Sequence, residues 1–309
     1  MNVLMISGDR NILLPGSAAH ERLELERAEV DRLDVFVFPQ VNSWHEICSV
    51  SKGISYDVVT AQDPFFRGLL AWHIARRTKA KLNLQVHTDL SAQPLWRRRL
   101  AIFLLRRADT VRVVSEEIKN YLAPLHLRAA VSVLPIYIDL TPFKNLQHWP
   151  HPRFKKTILW IGRFEPEKNP LMALSILKQV RNSGIDAGLI LLGTGSLEAA
   201  LRDRAKENAA HIEFPGWQSP VSYLAMADVV ISTSKHESYG ASIIEALAAG
   251  VPVVAPNVGI VAEAGAVVAP ASGLAQTVMQ VLRTGVRGKL KISLLSAQEW
   301  AKRWRDTLV

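Results

Sequence analysis

Short apolar runs alternate with longer segments of mixed apolar and charged residues along the whole chain. In the first half the runs NVLMIS, LDVFVFP, YDVVTAQ, KLNLQVH and TVRVVS are rich in β-branched residues and predict buried strands. Between strands, residues 18–32 and the segment RGLLAWHIARRT have the composition of helices. Strands that alternate with helices predict βαβ units and a parallel sheet.

The alternation stops once and then starts again. After VSVLPIYID, the segment TPFKNLQHWPHPRFKK is rich in proline and polar residues, which predicts a linker. Beyond it, TILWIG, AGLILLG, HIEFPG, DVVISTS, PVVAP and AVVAP predict further strands, with helices near residues 170–183, residues 197–209 and ASIIEALAAG. We therefore predict an α/β protein with two Rossmann-like, doubly wound domains. Their expected bounds are residues 1–145 and 146–295, followed by a C-terminal amphipathic helix, residues 296–309.

Bulk composition fits this organisation and indicates a compartment. The 309 residues are 49% hydrophobic, enough for about two globular domains. The single cysteine, Cys48, cannot form an internal disulfide, and no Cys/His cluster has the spacing of metal ligands. The N-terminus has no cationic segment before an apolar stretch, and no apolar run reaches ~18 residues. We expect a cytoplasmic protein that is neither exported nor transmembrane.

Positive charge is concentrated in one stretch of the first half. The chain carries a formal charge of +9, and the eleven basic residues between Arg67 and Arg112, less two aspartates, also give nine. Within this stretch, residues 94–108 (PLWRRRLAIFLLRRA) combine apolar side chains with five arginines. Such a helix fits an anionic membrane surface near a lipid-linked acceptor. Alternatively, Leu100, Phe103 and Leu104 face the core and the arginines are merely solvated.

Two predicted strand ends in the second half carry groups suited to phosphate. Ligands of open α/β sheets bind beyond the carboxyl ends of the strands. Arg163 and Lys168 follow a strand in WIGRFEPEKNP, and two cations there suit a diphosphate; a solvated surface loop is the alternative. Gly193 and Gly195 precede a helix in LILLGTGSLEAAL, where amides attract phosphate, or they form only a tight turn. Position 198 is glutamate, which weakens a dinucleotide-binding fingerprint.

The segment STSKHESYGASIIEALAAGVPVVAP carries the strongest pattern. Glu237 follows a predicted strand, Gly240 opens a turn, and Glu245 lies in the next helix. A carboxylate accepts paired hydrogen bonds from a vicinal diol, so the two glutamates can hold a ribose and a second sugar. The amides near Ala241 and Ser242 begin the helix and attract an anion. The alternative is that these glutamates are ordinary surface residues.

This segment resembles the E-x7-E signature of the retaining GT-B glycosyltransferases of family 4, the group 1 glycosyltransferases. Arg163 and Lys168 match the family's basic pair, and GTGS, FPGWQSPVSYLAMADVVIS and AAGVPVVAP match accompanying stretches, over about residues 155–270. The resemblance implies two domains facing a cleft. It also implies that Glu245 holds the ribose, that Glu237 holds the transferred sugar, and that Arg163 and Lys168 bind the diphosphate.

The first half resembles the family more loosely. YDVVTAQDPFFRGLLAWHIARRTKAKLNLQVHTDL is similar to a strand, helix and strand that end at a histidine. This makes His87 the candidate beside the reacting sugar, with Asp89 as a neighbour; a structural role is the alternative for His87. The family's glycine-rich loop, which approaches the donor phosphate and the acceptor, corresponds to LLPGSAAH, so the resemblance makes Gly16 a donor-binding residue. Gly16 stands alone there, where a pair of glycines is common.

The resemblance implies a hexosyltransferase that uses a nucleotide-sugar donor and a glycan or lipid-linked acceptor, with retention of configuration. His87, Glu237, Arg163 and Lys168 are its candidate catalytic residues. We expect no metal or other cofactor, because two cations and helix N-termini can offset the charge of the leaving group. A GT-B epimerase or phosphorylase and a non-enzymatic nucleotide- or nucleic-acid-binding protein are the rival functions. Nucleic acid is not expected as a partner, because carboxylates repel a phosphate backbone.

Overall fold

The structure, a computed structural model, describes residues 1–38 and 54–309. Cys48 and the last residue of LDVFVFP lie outside the described residues. The chain forms two compact units: the first comprises Met1–Asp139 and Leu294–Val309, and the second comprises Leu140–Ser293. The division therefore falls a few residues before the expected boundary at 145, and the C-terminal helix belongs to the first unit.

The first unit contains a parallel sheet with the strand order β2-β1-β3-β4-β5-β6. The strands are β1 (Asn2–Ser7), β2 (Arg32–Val37), β3 (Val58–Ala61), β4 (Lys81–Val86), β5 (Thr110–Val113) and β6 (Ala130–Val133). The α-helices are Ala18–Arg27, Phe66–Thr78, Leu95–Leu105, Glu116–Leu122 and Ala297–Asp306, with 3-10 helices at Arg10–Leu13 and Ala123–Leu125. The predicted strands of this half are all present.

The second unit repeats this architecture, with the strand order β12-β11-β10-β7-β8-β9. The strands are β7 (Lys156–Ile161), β8 (Ala187–Leu192), β9 (Ile212–Gly216), β10 (Val229–Ile231), β11 (Val253–Ala255) and β12 (Val267–Val268). The α-helices are Pro170–Asn182, Glu198–Ala205, Val221–Met226, Ala241–Ala248, Val261–Ala264 and Leu274–Thr284, with 3-10 helices at Thr141–Phe143, Lys206–His211 and Ala271–Gly273. The strand order reverses between β7 and β10, which is the point where sheets of this kind bind ligands.

The C-terminal helix Ala297–Asp306 completes the core of the first unit. Ser296 and Glu299 form a capping box that begins the helix. Trp300 and Trp304 are buried in a cluster that includes Val3 of β1. The Trp300 indole also donates a hydrogen bond to the carbonyl of Pro135 at 2.8 Å. The end of the chain is thus an integral part of the first unit.

Candidate functional site

Two loops meet at the switch point of the second unit. Residues 162–169 follow β7 and residues 232–240 follow β10. The hydroxyl of Thr233 lies 2.9 Å from the carbonyl of Lys168 and accepts a hydrogen bond from the Trp160 indole, also at 2.9 Å. Because the indole belongs to a buried side chain of β7, these bonds fix both loops to the sheet.

Lys168 and Glu237 form an ion pair between these two loops. Nζ of Lys168 lies 2.7 Å from Oε1 of Glu237, and the same oxygen accepts a hydrogen bond from the Ser234 hydroxyl at 2.7 Å. Only 20% of the lysine side chain and 10% of the glutamate side chain are exposed. The structure thus brings together one cation and one carboxylate that the sequence assigned to diphosphate and sugar.

Arg163 lies in the same loop as Lys168 but makes a different contact. Its guanidinium is 3.1 Å from a carboxylate oxygen of Glu167, and 66% of its side chain is exposed. An exposed pair of this kind contributes little to stability, about 0–1 kcal/mol. Arg163 is therefore available to exchange this carboxylate for another anion.

Glu245 is a half-buried carboxylate within the helix Ala241–Ala248. Burial raises its pKa to about 7. Among the described residues, no side chain or amide donates a hydrogen bond or ion pair to this carboxylate. Buried polar groups in proteins normally have partners, so a carboxylate left in this way is a candidate for ligand contact.

The start of that helix presents free backbone amides. Gly240 precedes the helix with a φ of +97°, a left-handed conformation that glycine adopts readily. The carbonyl of Gly240 accepts from the amides of Ile243 and Ile244. The preceding amides, of Ala241 and Ser242, come before the first intrahelical bonds and form the electropositive end of the helix.

Gly193 and Gly195 have a structural role in the loop after β8. A Cβ atom at Gly193 would lie 1.8 Å from the carbonyl oxygen of Gly162, and one at Gly195 would lie 2.7 Å from the backbone nitrogen of Phe164. Only glycine permits this close approach between neighbouring loops. Because these glycines have no side chain, the loop that carries Arg163 and Lys168 can pack directly against their backbone.

A carboxylate of the chain itself occupies the turn where phosphate was expected. Glu165 accepts hydrogen bonds from the Ser196 amide at 3.0 Å and from the Ser196 hydroxyl at 2.6 Å. These two bonds lower the pKa of Glu165. Glu165 could not be identified from the sequence, since nothing in its loop indicates a partner in a turn 31 residues further along.

In the first unit, His87 lies directly after β4. Its Nε2 atom is 3.1 Å from the side-chain oxygen of Gln85. Burial, together with the charges of Arg112 and Arg22, lowers the pKa of His87 to about 3. His87 is therefore a neutral imidazole at physiological pH. Asp89 turns back to accept hydrogen bonds from the Ser91 amide and hydroxyl at 2.8 and 2.7 Å.

Two glycines lie near the carboxyl end of β1. Gly16, the predicted loop glycine, has a φ of +80° and open space where a side chain would project. Gly8, which the sequence analysis did not single out, follows β1 directly, and a Cβ atom there would lie 2.0 Å from Cζ of Arg67. The available signal was a glycine immediately after a buried strand, in the sequence MISGD.

The helix Leu95–Leu105 has one side in the core and another that is exposed, so each of the two interpretations of residues 94–108 describes part of it. Leu104 and Leu105 are fully buried and Leu100 packs against the core of the first unit. Trp96 and Phe103, in contrast, are exposed. Phe66 of the preceding helix lies beside Trp96, with 6.0 Å between the ring centroids, and it extends the exposed apolar surface.

Residues 1–38 and 54–309 contain neither a candidate membrane span nor a candidate metal cluster. No helix in these ranges is long and apolar enough to cross a membrane. In the same ranges, no group of three or more His, Cys, Asp or Glu side chains is arranged to hold a metal ion.

Several solved structures share the fold over the full chain. HepE from Anabaena, in complex with UDP, has a TM-score of 0.71 and 17% identity, over 100% of this chain and 95% of that chain. The lipopolysaccharide outer core galactosyltransferase WaaB has a TM-score of 0.70 and 15% identity, over 99% of each chain. Sucrose-phosphate synthase from Thermosynechococcus elongatus has a TM-score of 0.74 and 16% identity, over 100% and 94%. These likenesses confirm the predicted GT-B fold class.

Two family models match the two halves of the chain. The model of the group 1 glycosyl transferases matches residues 155–284, and the model of the glycosyl transferase 4-like domain matches residues 10–136. The chain belongs to the GT-B glycosyltransferase family 4. The resemblance predicted from the E-x7-E segment is thereby confirmed.

Curated relatives match shorter stretches. The GDP-mannose-dependent alpha-(1-6)-phosphatidylinositol dimannoside mannosyltransferase of Mycobacterium tuberculosis is 31% identical over 132 residues, 39% of this chain and 34% of that protein. The alpha-monoglucosyldiacylglycerol synthase of Streptococcus pneumoniae is 26% identical over 233 residues, 67% of this chain and 53% of that protein. The aligned part thus spans between about a third and a half of the length of these relatives.

Proposed function

We propose that the chain is a glycosyltransferase that moves a hexosyl group from a nucleotide-sugar to an acceptor hydroxyl. The observation that carries this proposal is the ion pair of Lys168 and Glu237 at the switch point of the second sheet. The partner-free carboxylate of Glu245 and the amide-bearing start of its helix supply the other groups that a nucleotide-sugar requires.

Donor binding would exchange the partners of the charged groups. A diphosphate offers Lys168 and Arg163 new anionic oxygens, which would replace the carboxylates of Glu237 and Glu167. Glu237 would then be free to accept hydrogen bonds from hydroxyls of the transferred sugar. The amides at the start of the helix Ala241–Ala248 would bind the same diphosphate.

Glu245 would hold the ribose. An ionised carboxylate accepts two hydrogen bonds from a vicinal diol, and these would give the partly buried group the partners that it lacks. Because the pKa of Glu245 is about 7, the ionised form predominates only above that pH in the free protein. Donor affinity should therefore depend on pH near neutrality.

For the chemical step we propose transfer with retention and without a metal ion. The bond from the anomeric carbon to the leaving diphosphate breaks on the face where the acceptor oxygen bonds, and the acceptor proton passes to a phosphate oxygen. Lys168, Arg163 and the helix amides would offset the negative charge that develops on the diphosphate. The family resemblance assigns the neutral imidazole of His87 to the vicinity of the reacting sugar.

We further propose a lipid-linked glycan as the acceptor, on an anionic cytoplasmic membrane surface. The named relatives are a phosphatidylinositol dimannoside mannosyltransferase and an alpha-monoglucosyldiacylglycerol synthase. The helix Leu95–Leu105 supports this, because exposed Trp96 and Phe103 lie among its arginines.

A binding screen followed by product analysis tests the proposed activity. We expect one of the UDP-, GDP- or ADP-sugars, with GDP-mannose and UDP-hexoses tried first, to raise the melting temperature of the wild type but not of Glu245→Gln. With that donor, an acceptor should gain a hexose. Conversion of the donor without an acceptor would instead indicate an epimerase, and a requirement for inorganic phosphate would indicate a phosphorylase. No stabilisation by any nucleotide-sugar would overturn the proposal.

A further inference from the structure

A row of buried polar side chains crosses the middle of the first unit's sheet. Asn83 of β4 is in register with Thr60 of β3 and Thr110 of β5, and Gln85 is in register with Arg112. All five are buried. Inner strands of parallel sheets are usually apolar on both faces, so this row depends on complete hydrogen bonding.

The hydrogen bonds in this row have a defined direction. The Thr60 hydroxyl donates to Asn83 Oδ1 at 2.7 Å, and Gln85 Nε2 donates to the Thr60 oxygen at 3.0 Å. Asn83 Nδ2 donates to the Thr110 hydroxyl and to the carbonyl of Thr307, both at 2.9 Å. The three central strands and the end of the C-terminal helix therefore share one network.

Arg112 and Thr60 together determine which way the Gln85 amide faces. The Arg112 Nη1 atom lies 3.0 Å from Gln85 Oε1, while Nε and Nη2 donate to the carbonyls of Leu134 and Pro135, each at 3.1 Å. A guanidinium has donors and no acceptor. The Gln85 atom that faces it must therefore be the oxygen.

That orientation determines where His87 carries its proton. His87 Nε2 lies 3.1 Å from the same Gln85 oxygen, which can only accept. The hydrogen must therefore be on Nε2, and because the imidazole is neutral, Nδ1 keeps a lone pair.

We propose that Gln85 and Arg112 are positioning residues, which hold His87 in the Nε2–H tautomer and so present Nδ1 as a hydrogen-bond acceptor for a hydroxyl of the reacting sugar. The part that concerns the sugar rests on the proposed function. The tautomer itself does not, and it can be measured without a substrate.

Long-range ¹H–¹⁵N spectra of histidine-labelled protein test the tautomer, with the His87 signal assigned by its loss in His87→Asn. We expect the Nε2–H form in the wild type. Arg112→Met removes one of the two partners that orient the Gln85 amide and leaves the other, the Thr60 hydroxyl, so the signal should shift part of the way toward the Nδ1–H form. Arg112→Lys retains a cationic donor and should preserve the wild-type pattern.

Two further variants separate this effect from a general loss of structure. Gln85→Met removes the acceptor without removing Arg112, and it decides the question if Arg112→Met does not fold. Thr110→Val removes a partner of Asn83 in the same network but does not touch Gln85. We expect Gln85→Met to alter the tautomer and Thr110→Val to leave it unchanged, with folding of each checked by circular dichroism.

Turnover links the tautomer to the reaction. With release of nucleoside diphosphate from GDP-mannose or UDP-glucose as the assay, we expect kcat to fall about tenfold to a hundredfold in both methionine variants, with KM nearly unchanged. An Nδ1–H form in the wild type, or no change of tautomer in either methionine variant, would overturn the assignment. A changed tautomer with unchanged kcat would overturn the positioning role. If the wild type turned over none of the screened UDP-, GDP- or ADP-sugars while the tautomers behaved as expected, the proposed function alone would be in error.

Discussion

The two units have the same kind of sheet but place their polar groups in different parts of it. In the second unit the charges lie in loops beyond the strands, where Lys168 and Glu237 neutralise each other. In the first unit the polar groups lie within the strands, where Gln85 and Arg112 are buried and fully engaged. Loop charges can exchange partners with a ligand, whereas a buried network can only orient what it contacts. We therefore expect the second unit to supply binding energy and the first unit to supply geometry.

Glycine substitutions should give the largest difference between the units in the loss of unfolding free energy. Gly193→Ala should cost at least about 4 kcal/mol of unfolding free energy, because its Cβ atom would lie within the carbonyl of Gly162. Gly16→Ala should cost only ~1 kcal/mol, since its conformation is left-handed but the space is open. The midpoints of urea unfolding measure both effects. Similar losses for the two variants would contradict the close approach of the loops at Gly193.

Charge removal in the second unit should reduce turnover. Lys168→Ala should lower kcat/KM by about a hundredfold, which corresponds to ~3 kcal/mol of transition-state stabilisation. Arg163→Ala should lower it by a similar or smaller factor, because its side chain is more exposed. Glu167→Gln serves as the control, since it removes the partner of Arg163 and leaves both cations. Unchanged turnover in both alanine variants would exclude these residues from the diphosphate site.

Neutralising Glu245 should stabilise the fold and weaken the site. Its pKa is raised to about 7, so the folded state binds more protons than the unfolded state between about pH 4.5 and pH 7, and stability falls as the pH rises through that window. Glu245→Gln should therefore be more stable than wild type at pH 8 by about 1–2 kcal/mol, and the two should be similar below pH 4.5. Thermal unfolding at both pH values measures this difference.

Donor binding should show the reverse dependence for the same residue. If only the ionised form of Glu245 holds the ribose, the affinity of the wild type should rise about tenfold from pH 6 to pH 8. Calorimetric titration with the donor found in the screen measures this. A flat profile would show that Glu245 does not bind the donor as a carboxylate.

Charge removal within residues 94–108 should leave turnover on a soluble acceptor unchanged. Replacing Arg106 and Arg107 together by glutamine should instead weaken sedimentation with acidic liposomes, by about 1 kcal/mol for each charge. Liposomes without acidic lipid provide the control. Equal binding to both kinds of liposome would remove the membrane surface from the proposal and leave the donor site unaffected.

Much of the fold and half of the site could be predicted from local sequence. Apolar runs mark strands because parallel sheets are buried on both faces, so the strand sequence of both units followed directly. Arg163, Lys168, Glu237 and Glu245 were identifiable because they lie in or just beyond loops that follow such runs. The contact between Lys168 and Glu237 also follows from topology, since β7 and β10 are adjacent in the sheet.

The features that escaped prediction depend on partners distant in sequence. The row of buried polar side chains from Asn83 to Arg112 depends on the register of three strands, and the sequence of a single strand does not determine that register. The bond between Glu165 and Ser196 joins two loops, and the apolar face of Ala297–Asp306 does not reveal which core it completes. For residues 94–108, composition could not say which apolar residues face inward, and the helix in fact divides them between core and solvent.

The packing of the helix Ala297–Asp306 in the first unit also determines the order in which the two units can complete their folding during synthesis. The second unit ends at Ser293, so all of its residues are synthesised before the helix Ala297–Asp306. The first unit, although translated first, still lacks Trp300 and Trp304, and Asn83 lacks the carbonyl of Thr307. The nascent N-terminal half must therefore wait, with part of its apolar surface uncovered, until the helix Ala297–Asp306 has been synthesised.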